Sequence, residues 1–208
     1  MSASHTIALT ACALTALAWG GVHRQTRQNV VTVGFWADTA LTYDLPYLAR
    51  RGGPLTTDEQ RRLMMVARDE LHLAFAGLRV RVSDRPDAFY RVRVVQILTW
   101  HRVAVSGQSN VFGMLGGVGA VSFETLASQA VARAPDGVTR AGLVDAIGRG
   151  LGRAAVHEFA HLLLPRVPIH ASNDEASYEY WNSNRPAQYY GPMRWDVARP
   201  HLLRRLGN

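Results

Sequence analysis

The sequence predicts an α+β domain in which a twisted mixed sheet packs on two helices, and three observations carry that prediction. Segments with strand periodicity and segments with helical periodicity follow one another without strict alternation. Hydrophobic residues make up 48% and charged residues 19% of 208 residues, enough apolar material for one core and too much for a disordered chain. The longest helical pattern, Thr139 to Leu164, comes late, behind the strands.

The chain opens with a short apolar run, Ile7 to Ala18, which ends in the small-x-small triplet Ala16-Leu17-Ala18. It is too short to span a bilayer and fits the core of an export signal, so residues 1–18 are expected to be a signal peptide or an N-terminal anchor. The expected location is exported, periplasmic or secreted. Leu9-Thr10-Ala11-Cys12 also has the look of a lipidation box, and Cys12 is the only cysteine, so disulfides are excluded. Residues 19–29 are expected to form a linker, and residues 30–208 a single domain.

Within that domain, Val30 to Ala37 is β-branched and aromatic and predicts a central strand. Thr56 and Glu59 have capping-box spacing and open a helix whose apolar face is Met64, Ala67, Leu71, Ala74 and Phe75, with Gly77 as its stop. Leu78 to Val82 and Tyr90 to Leu98 alternate with the period of two expected of strands, leaving Arg79, Arg81, Arg91 and Arg93 in the solvent phase. Gly113 to Gly119 reads as a flexible loop and Ala120 to Phe123 as a short strand. The Thr139–Leu164 helix is ended by Pro165. Trp195 to Leu206 predicts a final helix in a small C-terminal subdomain.

Composition narrows the partners. The net charge is +7 and all 23 basic residues are arginine. They are spread through every element instead of forming one patch, so no nucleic-acid partner is expected. No apolar run reaches the roughly 20 residues of a membrane-spanning helix, so no transmembrane span is expected in the mature chain. The chain is expected to act as a monomer.

The chemistry sits in the long helix. His157-Glu158-Phe159-Ala160-His161 is an HExxH motif, and residues four apart share one helix face, so both imidazoles can meet one ion. Zinc suits two neutral imidazoles plus a third ligand with one position left open. Glu158 stands beside the first ligand, where its carboxylate can reach a water without binding the metal. Asp174, His170, Glu175 and Glu179 follow closely as candidates for the third ligand. His170 is the expected one, because the chain must turn after Pro165 and an imidazole matches the first two ligands. Glu175 or Glu179 is the alternative, the arrangement of a gluzincin-like peptidase.

The late HExxH helix with a histidine soon after it resembles the metzincin clan of zinc peptidases, its matrixin-like branch most closely, over Val30 to Leu206 in layout. The clan's motif is HExxHxxGxxH; here Leu164 stands at the glycine, Val167 at the third histidine, and His170 comes three residues later, giving HExxH-x8-H. His170 to Tyr178 is similar to the run that leads into the clan's methionine turn, with Tyr178 or Glu179 at the methionine position and Met193 the nearest methionine. The resemblance implies a zincin-like fold and a zinc-dependent endopeptidase acting on a peptide or protein substrate. It implies that His157, His161 and His170 hold one catalytic Zn2+, that Glu158 is general base, and that substrate aligns beside the strand Ala120 to Phe123. A catalytically inactive zinc-binding domain is a further alternative. Tyr178, Tyr180, Tyr189 and Tyr190 are candidates for oxyanion stabilisation. Arg166, Arg185 and Arg194 are expected around the cleft, where they are solvated or paired with Asp174, Glu175 and Glu179. Trp181 and Trp195, with Tyr189 and Tyr190, are expected to form a C-terminal aromatic cluster.

Overall fold

A computed structural model describes residues 30–101, 103–111 and 116–207. The apolar run and linker of residues 1–29 lie outside the described residues. The fold is α+β, as expected. Its strands are β1 (Val31–Ala37), β2 (Val80–Ser83), β3 (Tyr90–Val95), the small hairpin β4 (Thr99–Trp100) and β5 (Val103–Ala104), β6 (Gly107–Val111) and β7 (Gly117–Ser122). Its helices are α1 (Thr57–Ala74), α2 (Phe123–Ala132), α3 (Arg140–Leu163), α4 (Ala187–Tyr190) and α5 (Ala198–Leu206).

Five strands form one mixed sheet in the order β2-β1-β3-β7-β6. The first four run parallel, and β6 returns antiparallel to β7 at the edge. Val33 and Phe35 on β1, Val92 and Val94 on β3 and Val121 on β7 are buried; on β3 they alternate with the more exposed Arg91, Arg93 and Val95. Arg79, Arg81 and Arg93 are exposed, as the period of two requires, and Arg91 is half-buried. Helix α3 packs against β3, β6 and β7, while α1 packs on α3 and against β1 and β2. Leu63, Leu71, Leu151, Phe159 and Leu162 fill the space between helices and sheet. Each such side chain contributes roughly 1.5–3 kcal/mol through its removal from water.

The local signals for α1 and α3 hold. The Thr56 hydroxyl accepts from the Glu59 N–H at 3.3 Å, and the Glu59 carboxylate accepts from the Thr56 N–H at 2.9 Å, completing the capping box. The Thr139 hydroxyl caps α3 at Gly142 N–H, 3.1 Å away. Leu164, forced out of helical geometry by the proline that follows, is the last cap of α3 at φ −128°.

Four expectations are corrected. Gly117 and Gly119 belong to β7 and not to a flexible loop, while residues 112–115 lie outside the described residues. A Cβ on Gly117 would lie 2.6 Å from Leu162 Cδ2, so glycine is there for close packing of strand on helix. Ala120 to Ser122 end this interior strand, and Phe123 opens α2, a helix the sequence reading did not anticipate. The second strand of the pair read at Tyr90–Leu98 stops at Val95. The last helix starts at Ala198, not Trp195, because Pro200 lacks an N–H and is tolerated only in a first turn.

Candidate metal centre

Helix α3 delivers His157 and His161 one turn apart near its C-terminal end. The chain then turns at Pro165, with Val167 N–H donating to the Leu164 carbonyl at 3.0 Å. Ile169, only 2% exposed, anchors the short 3-10 turn Ile169–Ala171 in the core. That anchor carries His170 back beside the helical pair. Three Nε2 atoms converge: His157 to His170 is 3.0 Å, His161 to His170 is 3.1 Å, and His157 to His161 is 3.2 Å. The three residues are close enough to hold one metal ion, and they form the one such group among the described residues.

The protonation states favour ligation. His157 Nδ1 lies 2.7 Å from the Tyr178 carbonyl oxygen, which can only accept, so Nδ1 carries the proton and Nε2 presents its lone pair. Burial pushes His157 down to about 3, with the neighbouring His161 adding to it, and burial pushes His161 down to about 4. His170 is lowered for the same reason. All three rings are therefore neutral at pH 7, the form that binds a cation.

Glu158 is 6% exposed and faces the edge strand β6. Burial pushes its carboxyl up to about 7, opposed by a hydrogen bond from the Ser109 hydroxyl. Gly107 makes room for it: a Cβ there would collide with Glu158 Oε1 and lie 3.0 Å from its Cδ. His157, Glu158, His161 and His170 all open on one cleft of about 650 Å³, lined also by β6, by α2 and by the Trp181–Ser183 segment. Because β7 is hydrogen-bonded on both sides, by β3 and by β6, it has no free edge for an added strand. The free main-chain edge along the cleft belongs to β6, which corrects the expectation placed on Ala120 to Phe123.

The alternative ligands are elsewhere. Glu175 is exposed and outside the histidine group. Glu179 is fully buried; its carboxylate accepts from the Ser177 hydroxyl at 2.7 Å, from the Asp196 N–H at 2.6 Å and from the Ala198 N–H. It ties the turn that carries Tyr178 to the start of α5. Asp174 pairs with Arg194 at 2.7 Å. Arg166 is exposed and Arg185 is buried, with the Arg185 guanidinium 4.7 Å from the Tyr180 ring and donating to the Ser177 carbonyl; neither lines the cleft. Met193 is half-buried against the core and does not line the cleft either.

Of the tyrosines, Tyr189 donates to Gln129 and Tyr190 to the Ala130 carbonyl, so both hydroxyls are used away from the histidines. Tyr178 packs its ring on Trp195 at 5.1 Å and offers the site its carbonyl. Trp195 joins the core beside Phe75, whereas Trp181, 67% exposed, sits on the rim of the cleft and outside the expected aromatic cluster. Gly107, Ser109, Gln129 and the Tyr178 carbonyl are site groups that sequence reasoning did not single out. A serine cap at Ser122 followed by Phe123, Leu126, Ala127 and Ala130 at helical spacing was the available signal for α2, and hence for Gln129.

Comparison with models of known protein families, with curated proteins and with solved structures yields no match.

Proposed function

We propose that this chain is a zinc-dependent endopeptidase of metzincin-like type, with His157, His161 and His170 as the metal ligands and Glu158 as the general base. The observation that carries the reading is the convergence of three imidazole nitrogens at 3.0–3.2 Å, with a carboxylate opening on the same cleft. The donor set fits zinc. Donors of a tetrahedral site with Zn–N bonds near 2.0–2.1 Å stand ~3.3–3.4 Å apart, within a few tenths of what the three rings already adopt. Three nitrogen ligands on one side also leave a coordination position open towards the cleft.

When bound, zinc supplies Lewis acidity, lowering the pKa of water towards about 7 and polarising a carbonyl oxygen. Glu158 accepts the proton of the attacking water and hands it to the nitrogen of the departing amine. Gly107 permits the close approach of that carboxylate to β6. The Tyr178 carbonyl fixes the His157 tautomer. The exposed edge of β6 supports an extended substrate, whose main chain would pair with it as one more strand. An export signal in residues 1–18 belongs to the same proposal, and N-terminal sequencing of the protein recovered from its cell would test it. Among the described residues no helix is long and apolar enough to cross a membrane.

The deciding experiment combines metal analysis with hydrolysis of a peptide mixture. One zinc per chain and chelator-sensitive cleavage are expected, and Glu158→Gln should keep the zinc and lose the cleavage. Zinc without any cleavage would instead identify an inactive metal-binding domain.

A further inference from the structure

The cleft has a chemical bias that the metal centre does not explain. Besides β6 it is lined by Thr125 and Gln129 of α2 and by Asn182 and Ser183, and among the described residues no arginine lines it. The carboxamide of Gln129 is held by two hydroxyls: Tyr189 donates to its Oε1 at 2.6 Å and Ser183 at 3.0 Å. Neither hydroxyl has another acceptor among the described residues, so the reversed amide would strand two donor protons. Its Nε2 therefore points away from both. Among the described residues that nitrogen has no partner, and it is not sealed from solvent.

Asn182 repeats the arrangement. Its Oδ1 accepts from the Asn184 N–H at 2.9 Å, leaving its Nδ2 unpaired and accessible. Thr125 Oγ1 accepts from the Ser122 hydroxyl at 2.9 Å and keeps its own proton to give. Two –NH2 groups and a hydroxyl proton are thus left free on residues that line a cleft whose one carboxylate, among the described residues, is Glu158.

We propose that Gln129, oriented by Tyr189 and Ser183, is a specificity-determining residue that selects substrates carrying a carbonyl or carboxylate oxygen on a side chain, those of Asn, Gln, Asp and Glu. The inference rests on the peptidase reading for what occupies the cleft. An apolar side chain there would leave the amide donors without partners, which a site built for hydrogen bonding penalises. A Lys or Arg side chain would meet donors facing donors.

The test is binding of the zinc-loaded Glu158→Gln protein to a positional-scanning peptide array, which reads recognition without turnover. At one position, acceptor side chains should be enriched about tenfold over Leu and Ala. The enrichment should vanish in Glu158→Gln/Gln129→Leu. It should turn towards Lys and Arg in Glu158→Gln/Gln129→Glu, where one carboxylate oxygen still accepts from the two hydroxyls and the other faces the cleft. An unchanged profile in both variants, or no acceptor enrichment in the parent, would overturn the proposal. If Gln129→Leu fails to fold by circular dichroism, the Glu variant alone decides. Acceptor enrichment in the array together with no hydrolysis by the unsubstituted protein would overturn the peptidase reading and leave this one standing.

Discussion

His157 donates its Nδ1 proton to the carbonyl oxygen of Tyr178 across 2.7 Å, so a turn nearly one helix length away in sequence decides which nitrogen faces the cleft. Glu179 pins that turn by accepting from the Ser177 hydroxyl and from the Asp196 and Ala198 N–H groups. In Glu179→Gln one oxygen becomes an –NH2 that meets an N–H donor, which costs roughly 2 kcal/mol for a buried unmet pair. The tautomer and tilt of His157 loosen with the turn. Zinc affinity should fall ~10–100-fold, the usual cost of losing a ligand's support, as read by competition with a chromogenic chelator. Unchanged affinity alongside a lowered melting temperature would confine Glu179 to folding.

The local part of this site was legible and the non-local part was not. His157 and His161 follow from helical spacing, and His170 from the turn that Pro165 imposes. Strand β6 has the sequence Gly-Gln-Ser-Asn-Val, with no alternation to report it; its existence depends on pairing with β7. Helix α2 follows β7 without a loop, so Ser122 ends one element and caps the next, and a short apolar segment read as strand absorbed the helix start. Much of the lining of the cleft comes from these two elements. A main-chain carbonyl acceptor such as that of Tyr178 carries no side-chain signature at all.

Gly107→Ala should separate the base from the metal. The added methyl collides with the Glu158 carboxylate, which must swing away from β6. The atoms nearest that position all belong to Glu158 and none to a histidine, so the proposed one zinc per chain should be retained. Hydrolysis should drop ~100-fold or more, within the range that general-base catalysis supplies. Loss of zinc in this variant would show that β6 shapes the metal centre itself.

Removing the proposed zinc should destabilise the fold. A ligand held at 1,000 times its Kd stabilises the native state by about 4 kcal/mol. For a chain of this size that corresponds to a melting shift of roughly 10 °C on treatment with a chelator. His170→Ala should abolish the shift by removing one of three ligands, while Glu175→Ala should leave it intact, since Glu175 lies outside the histidine group. Differential scanning fluorimetry with and without chelator reads both.

Acid should weaken the junction between α1 and α3 in a defined window. Hydrogen bonding to the Arg140 guanidinium, at 2.8 Å and 3.0 Å, holds the Glu59 carboxyl down at about 2 against an ordinary 4.5. A lowered folded-state value means the contribution is complete above the ordinary value and is lost as pH falls from about 5 to about 2. Glu59→Gln keeps the capping box but removes the ion pair, which is partly exposed and so worth about 1 kcal/mol. Urea unfolding should separate the two proteins by that amount at pH 7, and the gap should close towards pH 2.5. A gap independent of pH would assign the effect to the cap.

The crossing of α1 and α3 depends on two glycines, and the sign of replacing them is decided by what their missing side chains would touch. In an exposed helix Gly→Ala stabilises by about 1 kcal/mol, because alanine loses less backbone freedom on folding. Gly148 and Gly152 are not exposed. A Cβ on Gly148 would lie 2.6 Å from the Leu63 carbonyl oxygen, and one on Gly152 would collide with the Ala67 carbonyl oxygen and stand 2.8 Å from Glu70 Cβ. Those neighbours are largely backbone, which cannot rotate aside, so the helices must separate. Separation also pulls on the buried Arg153–Glu70 pair, now 2.9 Å, whose guanidinium further holds the Ala187 and Gly191 carbonyls beneath the cleft. Overpacking of about 3 kcal/mol therefore exceeds the propensity gain, and Gly152→Ala should lose ~2 kcal/mol and melt about 5 °C lower. Gly137→Ala makes a useful contrast: φ is +74° there and nothing lies within 4 Å, so any loss reflects backbone strain alone and should leave zinc binding untouched. If Gly152→Ala instead raised the melting temperature, the close approach of the two helices would not be what holds α3, and with it the histidine pair, in place.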